Sequence, residues 1–278
     1  MMAAYTQSRP RVAVIIPVFN EQDALQLLRI RLAELHRGLK QRFIVLYLFV
    51  DDGSTDRTVE LLAGVAPMGA ASQVISHGSN RGLGEAFRTG FNQVSSAEIV
   101  CTIDADSTYR AADLIPMIHM IADGKADVIV ASPYHPRGSV EGVPRWRLAL
   151  SRRCSSFYRM VLPVKLYTYT SMFRAYRGSF VRRAEFESSG FVSTVEILIS
   201  AASLGYRIQE MPSTLHRRVA GVSKMRVLGT IGQHLALLLR CAMASRRRRP
   251  SRRSETKKTK TDSLDELTPL VSMSDQRG

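Results

Sequence analysis

The sequence predicts an α/β fold in which a mostly parallel β-sheet is flanked by helices on both faces. Three observations predict it: short apolar runs alternate with helix-like segments, these runs are rich in β-branched residues, and acidic clusters follow two of them. In such sheets, ligands bind beyond the carboxyl ends of the strands. The 278 residues are 45% hydrophobic and 23% charged, which suits one large buried core and excludes a wholly disordered or coiled-coil protein.

The predicted strands are short and largely apolar, as expected for strands buried on both faces. They cover residues 12–17, 43–50, 73–76, 99–103 and 127–131. The first helix follows residues 20 and 21, where leucines recur at helical spacing on one face. These leucines are Leu25, Leu28, Leu32 and Leu35. Further helices are predicted at 58–62, 84–94, 114–121, 147–161, 196–204 and 225–243.

The net charge of +15 is concentrated near the end of the chain, where residues 246–260 carry nine Lys or Arg and one acid, Glu255. No apolar pattern accompanies this run, so residues 246–278 are predicted to be a disordered basic tail. Such a tail can be merely solvated, can attract anionic lipid headgroups, or can bind nucleic acid. Three scattered cysteines, Cys101, Cys154 and Cys241, fit neither a disulfide framework nor a zinc cluster.

The segment before the tail is largely apolar but interrupted by Gln233, His234 and Arg240. It is too short and too polar for a transmembrane helix, which needs about 20 mostly apolar residues. Two interpretations of residues 225–245 stay open: an amphipathic helix in the membrane interface, and a core helix that packs back on the domain.

Two acidic clusters follow predicted strands, Asp51 and Asp52 after the second and Asp104 and Asp106 after the fourth. Carboxylates are the ligands that Mg²⁺ and Mn²⁺ prefer, often together with substrate phosphates. One acidic pair is compatible with an ordinary surface turn, whereas two pairs at one edge of a sheet favour a nucleotide-diphosphate site.

Two glycine-containing segments are less specific. Residues 78–84 could form a phosphate cradle before a helix, although a tight strand-to-helix turn explains the glycines equally well. Residues 217–224 place Arg217, Arg218 and Lys224 around a glycine and a serine. They are either a cationic loop that closes on a pyrophosphate or a surface charge run.

Taken together, four motifs resemble family-2 glycosyltransferases with the glycosyltransferase A fold. They occur in the family's order: Ile15–Glu21, Val50–Asp56, Asn80–Gly84 and Asp104–Asp106. The second half is similar to the dolichyl-phosphate mannose synthases of that family through Thr170–Tyr176, Glu196–Ile197, Gly205–Tyr206, Glu210–Pro212 and Arg218–Lys224. The resemblance covers residues 11–224 and implies a catalytic domain of that extent, preceded by an arm at 1–10.

The resemblance also implies site residues. The base and ribose of a nucleotide sugar would be held by Pro17, Phe19, Glu21 and Asp52, with Val50 packed on the base. Diphosphate and sugar would be bound by Asp104, Ala105 and Asp106, with Asp106, assisted by Asp104, as ligand of a Mg²⁺ or Mn²⁺ cofactor. Arg218 and Lys224 would close on the diphosphate, so Asp106 and Arg218 are the expected catalytic residues.

The sequence departs from the synthase pattern in three places. These differences bear on which sugar and which acceptor are used more than on the reaction class. Thr108 stands where a further metal ligand, often Gln, is usual, and Pro133 replaces an expected arginine. Thr168 and Met172 replace an Asp and a Gly of the Asp-x-Thr-Ser-Gly-Phe-Arg stretch.

The expected enzyme is an inverting glycosyltransferase that moves mannose from GDP-mannose to a polyprenyl (dolichyl) phosphate. It would act peripherally at the cytoplasmic face of a membrane, with a separate membrane subunit as a candidate partner and no nucleic acid. A phosphate acceptor is largely dianionic at neutral pH and needs no general base. One alternative is a hydroxyl-acceptor enzyme of the same fold, with Glu141, Glu187 or Glu196 as base. The alternative from another class is a basic nucleic-acid-binding protein.

Overall fold

A computed structural model describes residues 9–219 and 227–247 of the chain. Its main sheet has seven strands in the order β3-β2-β1-β4-β7-β5-β8, and only β7 runs antiparallel to its neighbours. A separate two-stranded parallel ribbon pairs β6 with β9. The predicted α/β fold with a mostly parallel sheet is therefore confirmed.

The strands of the main sheet are β1 (Arg11–Val18), β2 (Ile44–Asp51), β3 (Ala71–Ser76), β4 (Ile99–Thr102), β5 (Val128–Ser132), β7 (Arg174–Arg177) and β8 (Ile208–Pro212). The ribbon consists of β6 (Ser139–Glu141) and β9 (Thr214–His216). The helices are α1 (Leu25–Leu39), α2 (Thr58–Leu62), α3 (Leu83–Gln93), α4 (Leu114–Ala122), α5 (Arg145–Val161), α6 (Gly178–Val181), α7 (Ser193–Ser203) and α8 (Val227–Arg247).

Strand alternation divides the core between the two faces of the sheet. In β1, Val14 and Ile16 pack with the leucines of α1 and with α4, whereas Ala13 and Ile15 pack on the other face with α3 and α7. Both faces are thus covered by helices, and the carboxyl ends of β1, β2 and β4 lie side by side at one edge.

The five predicted strands are confirmed with ends displaced by no more than two residues. The sequence analysis missed β6, β7, β8, β9 and α6. These elements have three to five residues each, too few for a periodic pattern to identify them.

Helix α8 packs on the core as the second interpretation of its sequence expected, while its placement in a membrane interface stays a prediction. Leu237 is only 6% exposed and packs in the core cluster, whereas Leu235 and Leu239 are 55% and 65% exposed. The helix continues to Arg247, two residues into the predicted tail. Residues 1–8, residues 220–226, which include Lys224, and residues 248–278 lie outside the described part of the chain. None of the described helices combines the length and apolar character needed to cross a bilayer.

Candidate active site

The loops that follow β1 and β2 are joined by side-chain hydrogen bonds. Asn20 has a left-handed backbone, with φ 53°, and its Oδ1 accepts a hydrogen bond from the amide of Thr55 at 2.7 Å. The amide of Glu21 donates to Oγ1 of Thr58 at 2.8 Å. This arrangement holds Glu21, a predicted donor-binding residue, at the sheet edge beside the end of β2.

Asp52 organises the segment that leads into α3. Its carboxylate accepts hydrogen bonds from the amides of Arg81 and Gly82 at 2.9 and 2.8 Å, and it lies 2.9 Å from Nδ1 of His77. The side chain is buried, and both of its oxygens are engaged within the protein. Its predicted contact with a nucleotide stays a prediction, whereas this structural role was missed.

The glycines at 82 and 84 serve close backbone approach. Gly82 has φ 96°, and a Cβ on Gly84 would lie 2.0 Å from the carbonyl oxygen of Ser188. The amide of Gly84 also donates to the carbonyl of Ser189 at 2.6 Å. Of the two interpretations left open for this segment, the structure favours the tight turn over the phosphate cradle.

The loop after β4 brings the second acidic pair to the same edge. Burial, and then the neighbouring charge of Asp106, raises the pKa of Asp104 well above its ordinary value. Glu21 acts in the same direction, while Arg218 opposes the shift. The structure therefore assembles Glu21, Asp104 and Asp106 into one acidic cluster at the sheet edge.

Arg218 lies against this acidic cluster. Its Nη2 donates to Oε1 of Glu21, and its Nε lies 3.4 Å from Oδ2 of Asp106. The side chain is only 17% exposed, so these charges meet in a partly desolvated environment where they act strongly. Of the two predicted cationic residues, the structure places Arg218 at the site, and Lys224 lies outside the described residues.

The other predicted donor-site residues differ in accessibility. Pro17 and Phe19 are half-buried at the end of β1, next to the acidic cluster. Ala105 is buried between the two aspartates. Val50 has no exposed surface and packs in the core with Ile15, so its contact with a base stays a prediction.

The acidic cluster offers oxygen ligands that suit a hard cation. Among the described residues, no three His, Cys, Asp or Glu side chains are arranged to hold a metal by themselves. Asp104 and Asp106 nevertheless fit the common case in which one or two carboxylates share Mg²⁺ or Mn²⁺ with substrate phosphates. Burial, and then the charge of Asp106, raises the pKa of Asp104, and a bound cation would oppose both effects by favouring the ionised carboxylate.

An apolar cleft, of about 730 Å³, opens from the acidic cluster between α5 and α8. Asp106, Thr108 and Arg218 line one part of it, together with Arg147 and Arg217. The apolar part is lined by Leu148, Leu150, Phe157, Ile231, Leu235 and Leu238. Helices α5 and α8 are linked across the cleft by Tyr158 and His234, whose hydroxyl and Nδ1 atoms are 2.9 Å apart.

The sequence analysis missed this cleft, although the composition of α5 could have indicated an apolar binding surface. The helix has five arginines, no acid, and large apolar side chains that face solvent. Trp146, Phe157 and Met160 are 55%, 51% and 68% exposed. Exposed aromatic residues among arginines are typical of surfaces that meet a lipid interface.

The hydroxyl-acceptor alternative needs a general base, and its three candidate glutamates either form hydrogen bonds within the protein or are exposed to solvent. Glu196 accepts hydrogen bonds from the amides of Glu187 and Ser188 and from the hydroxyl of Ser188. Glu187 is a 79% exposed partner of Arg240. Glu141 lies 3.0 Å from Nδ1 of His216. None of these three glutamates lines the apolar cleft within the described part of the chain.

A comparison with known protein families identifies the family of this chain. The family model described as "Glycosyl transferase family 2" matches residues 13–184, more than half of the chain. The chain belongs to glycosyl transferase family 2. The resemblance inferred from the motifs is confirmed, and the protein is a glycosyltransferase.

Curated relatives of this glycosyltransferase act on lipid phosphates according to their names. The chain is 30% identical over 221 residues to polyprenol monophosphomannose synthase of Mycolicibacterium smegmatis, covering 77% of this chain and 81% of the relative. It is 29% identical over 241 residues to undecaprenyl-phosphate mannosyltransferase of Micrococcus luteus, covering 85% and 96%. Dolichol-phosphate mannosyltransferase of Pyrococcus furiosus is 31% identical, covering 78% of this chain and 59% of the relative.

Solved structures confirm the fold of the glycosyltransferase. Glucosyl-3-phosphoglycerate synthase from Mycobacterium tuberculosis, in complex with Mn²⁺, uridine diphosphate and glucosyl-3-phosphoglycerate, aligns with a TM-score of 0.60. The alignment covers 85% of this chain and 80% of that one at 19% identity. Another structure of that synthase contains Mg²⁺ and uridine diphosphate. At this identity the similarity shows the fold alone.

Proposed function

We propose that this glycosyltransferase moves mannose from GDP-mannose to a polyprenyl phosphate, with inversion at the anomeric carbon. The observation that carries the proposal is the continuity between the acidic cluster and the apolar cleft, which Asp106 and Arg218 both line. A polyprenyl phosphate has a charged head and an apolar chain, and the cleft offers arginines and apolar side chains to match. The names of the curated relatives support the same acceptor class and sugar.

The chemistry follows from the charges at the sheet edge. Asp104 and Asp106 would hold Mg²⁺ or Mn²⁺, which when bound neutralises negative charge on the departing diphosphate. Arg218 binds the same diphosphate, with Lys224 as a further predicted ligand, and stabilises the charge that develops there. The acceptor phosphate attacks the anomeric carbon as an oxyanion and needs no general base.

The place of action that we propose is the cytoplasmic face of a membrane, with peripheral attachment. The exposed residues of α5 and α8 support this proposal because Trp146, Phe157, Leu235 and Leu239 lie on helices that flank the apolar cleft. An acceptor in the bilayer would then enter the cleft directly from the lipid. A separate membrane subunit remains part of the proposal as a candidate partner.

The test is a donor panel of GDP-mannose, UDP-glucose and UDP-N-acetylglucosamine with polyprenyl phosphate, with and without Mn²⁺. We expect mannosyl transfer from GDP-mannose that depends on the metal and is lost in Asp106→Asn. Transfer from a UDP-sugar instead would overturn the proposed donor. Transfer only to a hydroxyl-bearing glycolipid would overturn the proposed acceptor in favour of the alternative within the same fold.

A further inference from the structure

A second cavity, of about 460 Å³, lies beside the acidic loop. Its described lining consists of Leu27, Arg31, Ser107, Arg110, His216 and Val219. Among the described residues, only His216 also lines the apolar cleft, so the two spaces are largely separate. The cavity is built by α1, by the loop that follows Asp106, and by the residues at and after the end of β9.

Three of the lining residues have a buried polar atom without a hydrogen-bond partner among the described residues. These atoms are Nε of Arg31, Oγ of Ser107 and Nε2 of His216. Native proteins rarely leave such atoms unpaired, so a group of them around one cavity points to polar partners there, either ordered water or a ligand. Ser107 also has a left-handed backbone, with φ 57°, as strained residues at functional sites often do.

The charge of the lining favours an anion. Arg31, Arg110 and His216 line the cavity, whereas no carboxylate does so within the described part of the chain. Burial raises the pKa of the nearby Asp113. Arg110, His216 and Arg31 each offset part of that rise, so all three lie close enough to interact with this carboxyl group. Arg31 also lies 3.5 Å from Glu34 and His216 lies 3.0 Å from Glu141, whereas Arg110 forms no salt bridge with a described residue.

His216 is held in place by its neighbours. Its amide donates to the carbonyl of Thr108 at 2.9 Å, and its Nδ1 lies 3.0 Å from Oε2 of Glu141. With one ring nitrogen engaged by Glu141, Nε2 is the ring nitrogen that stays available to a ligand. The imidazole is therefore oriented before any ligand binds.

We propose that this cavity binds a phosphate group at a site separate from the sugar-transfer centre. The guanidinium groups of Arg31 and Arg110 match phosphate oxygens, and the hydroxyl of Ser107 can donate to another. Because Nδ1 of His216 donates to Glu141, Nε2 of the neutral imidazole can accept a hydrogen bond from a P–OH group. A soluble phosphate ester and an anionic lipid headgroup present the same chemistry. Because Ser107 directly follows Asp106, binding here contacts the loop that carries the acidic pair.

The test measures binding of inorganic phosphate to the full chain by calorimetry at constant ionic strength, without donor or metal. We expect the wild type to bind, and Arg31→Ala and Arg110→Ala each to weaken binding about tenfold, as expected for the loss of a charge-assisted contact. Arg29→Ala is the matched control, since Arg29 is an exposed residue of α1 that does not line the cavity. Thermal unfolding checks that the variants fold.

A second arm measures sedimentation with vesicles that contain phosphatidic acid, using the same variants. Weaker phosphate binding identifies a soluble ligand, and weaker vesicle binding alone identifies a lipid headgroup. The proposal is overturned if the Arg31 and Arg110 variants match the wild type in both arms. It is also overturned if Arg218→Ala, rather than these variants, abolishes phosphate binding. Because no donor is present, the result is independent of the proposed mannosyl transfer.

Discussion

Arg218 and Glu21 are 197 positions apart in the chain, and their side chains meet in a hydrogen bond at the edge of the sheet. The same guanidinium group reaches Asp106, so one cation contacts the loops that follow β1 and β4. Arg218 is thus a counterion of the acidic cluster. Under the proposed function, a bound diphosphate would offer this cation a competing set of oxygens.

Replacing Arg218 by alanine should lower the turnover number on the order of 10²-fold, as is typical for removal of one group that stabilises transition-state charge. Arg218→Lys keeps the charge but not the planar fork and should fall between the alanine variant and the wild type. Steady-state kinetics of mannosyl transfer check both. A rise in KM at unchanged kcat would contradict the prediction, because it would mean equal binding of ground state and transition state.

Asp106→Asn should nearly abolish transfer and leave the fold intact, because Asp106 lies in a partly exposed strand-end loop and outside the core. The control is Asp123→Asn, which removes a surface carboxylate that pairs with Arg42 far from the acidic cluster. Activity is measured across a Mn²⁺ titration, with circular dichroism to confirm folding. Turnover near that of the wild type at saturating Mn²⁺ would refute the metal-binding role.

Asp52→Ala should lower the free energy of unfolding by about 1–3 kcal/mol, because it removes a buried carboxylate that accepts hydrogen bonds from the amides of Arg81 and Gly82. Asp23→Ala serves as the control, since Asp23 is exposed. Urea denaturation of both variants provides the measurement. Equal stability of Asp52→Ala and the wild type would show that Asp52 does not organise this segment.

Stability should depend on pH through Asp127, which joins β5 to its neighbours. Its Oδ1 lies 2.7 Å from Nε of Arg177, and its Oδ2 lies 3.0 Å from Nε of Arg207. Hydrogen bonds from Arg207 are the largest cause that holds the pKa of Asp127 below its ordinary value, despite partial burial. A carboxyl with a lowered pKa in the folded state contributes stability above its unfolded-state pKa, about 3.9, and that contribution is lost as the pH falls below it.

Asp127→Asn should therefore destabilise the protein at pH 7 by about 2 kcal/mol and by progressively less as the pH falls below about 4. The measurement is urea denaturation of both proteins at several pH values. A difference between them that does not change with pH would contradict the assignment.

Salt should release part of the protein from anionic vesicles. The tail cations at residues 246–260 are each worth about 1 kcal/mol at best near an anionic surface, and salt screens this attraction but not apolar insertion. A chain that ends at Ser245 should bind more weakly and respond little to salt. Co-sedimentation of both chains across a salt series is the measurement, and absence of binding by both at low salt would refute the peripheral-membrane proposal.

The exposed face of α5 can be tested in the same assay. The double substitution Trp146→Ser and Phe157→Ser should weaken vesicle binding at every salt concentration, because it removes apolar side chains that are about half exposed. Met68→Ser is the control, since Met68 is fully exposed outside α5 and α8. If the control and the double variant lose binding equally, α5 is not the docking surface.

The sequence by itself determined the five strands with apolar runs, the helices between them and the strand-end acids. Its local patterns suffice there because each buried strand is a continuous run of β-branched or aliphatic residues, and because parallel neighbours place their carboxyl ends at one edge. Asp104 and Asp106 follow from these local patterns, whereas Glu21 and Arg218 were expected at the site only through the resemblance to the family, and the catalytic roles of all four remain predictions.

Only the tertiary structure decided how buried polar groups are used and which distant segments meet. The sequence does not show that Asp52 has partners within the protein. Its carboxylate accepts hydrogen bonds from the amides of Arg81 and Gly82, about 30 positions later in the chain, and only the fold brings these groups together. The strand β7 contains Arg174, which is fully buried and donates to the carbonyls of Thr194 and Tyr169, so no hydrophobic pattern could identify it. The apolar cleft and the second cavity each combine residues that lie far apart in the sequence. Their surfaces exist only once packing brings those residues together.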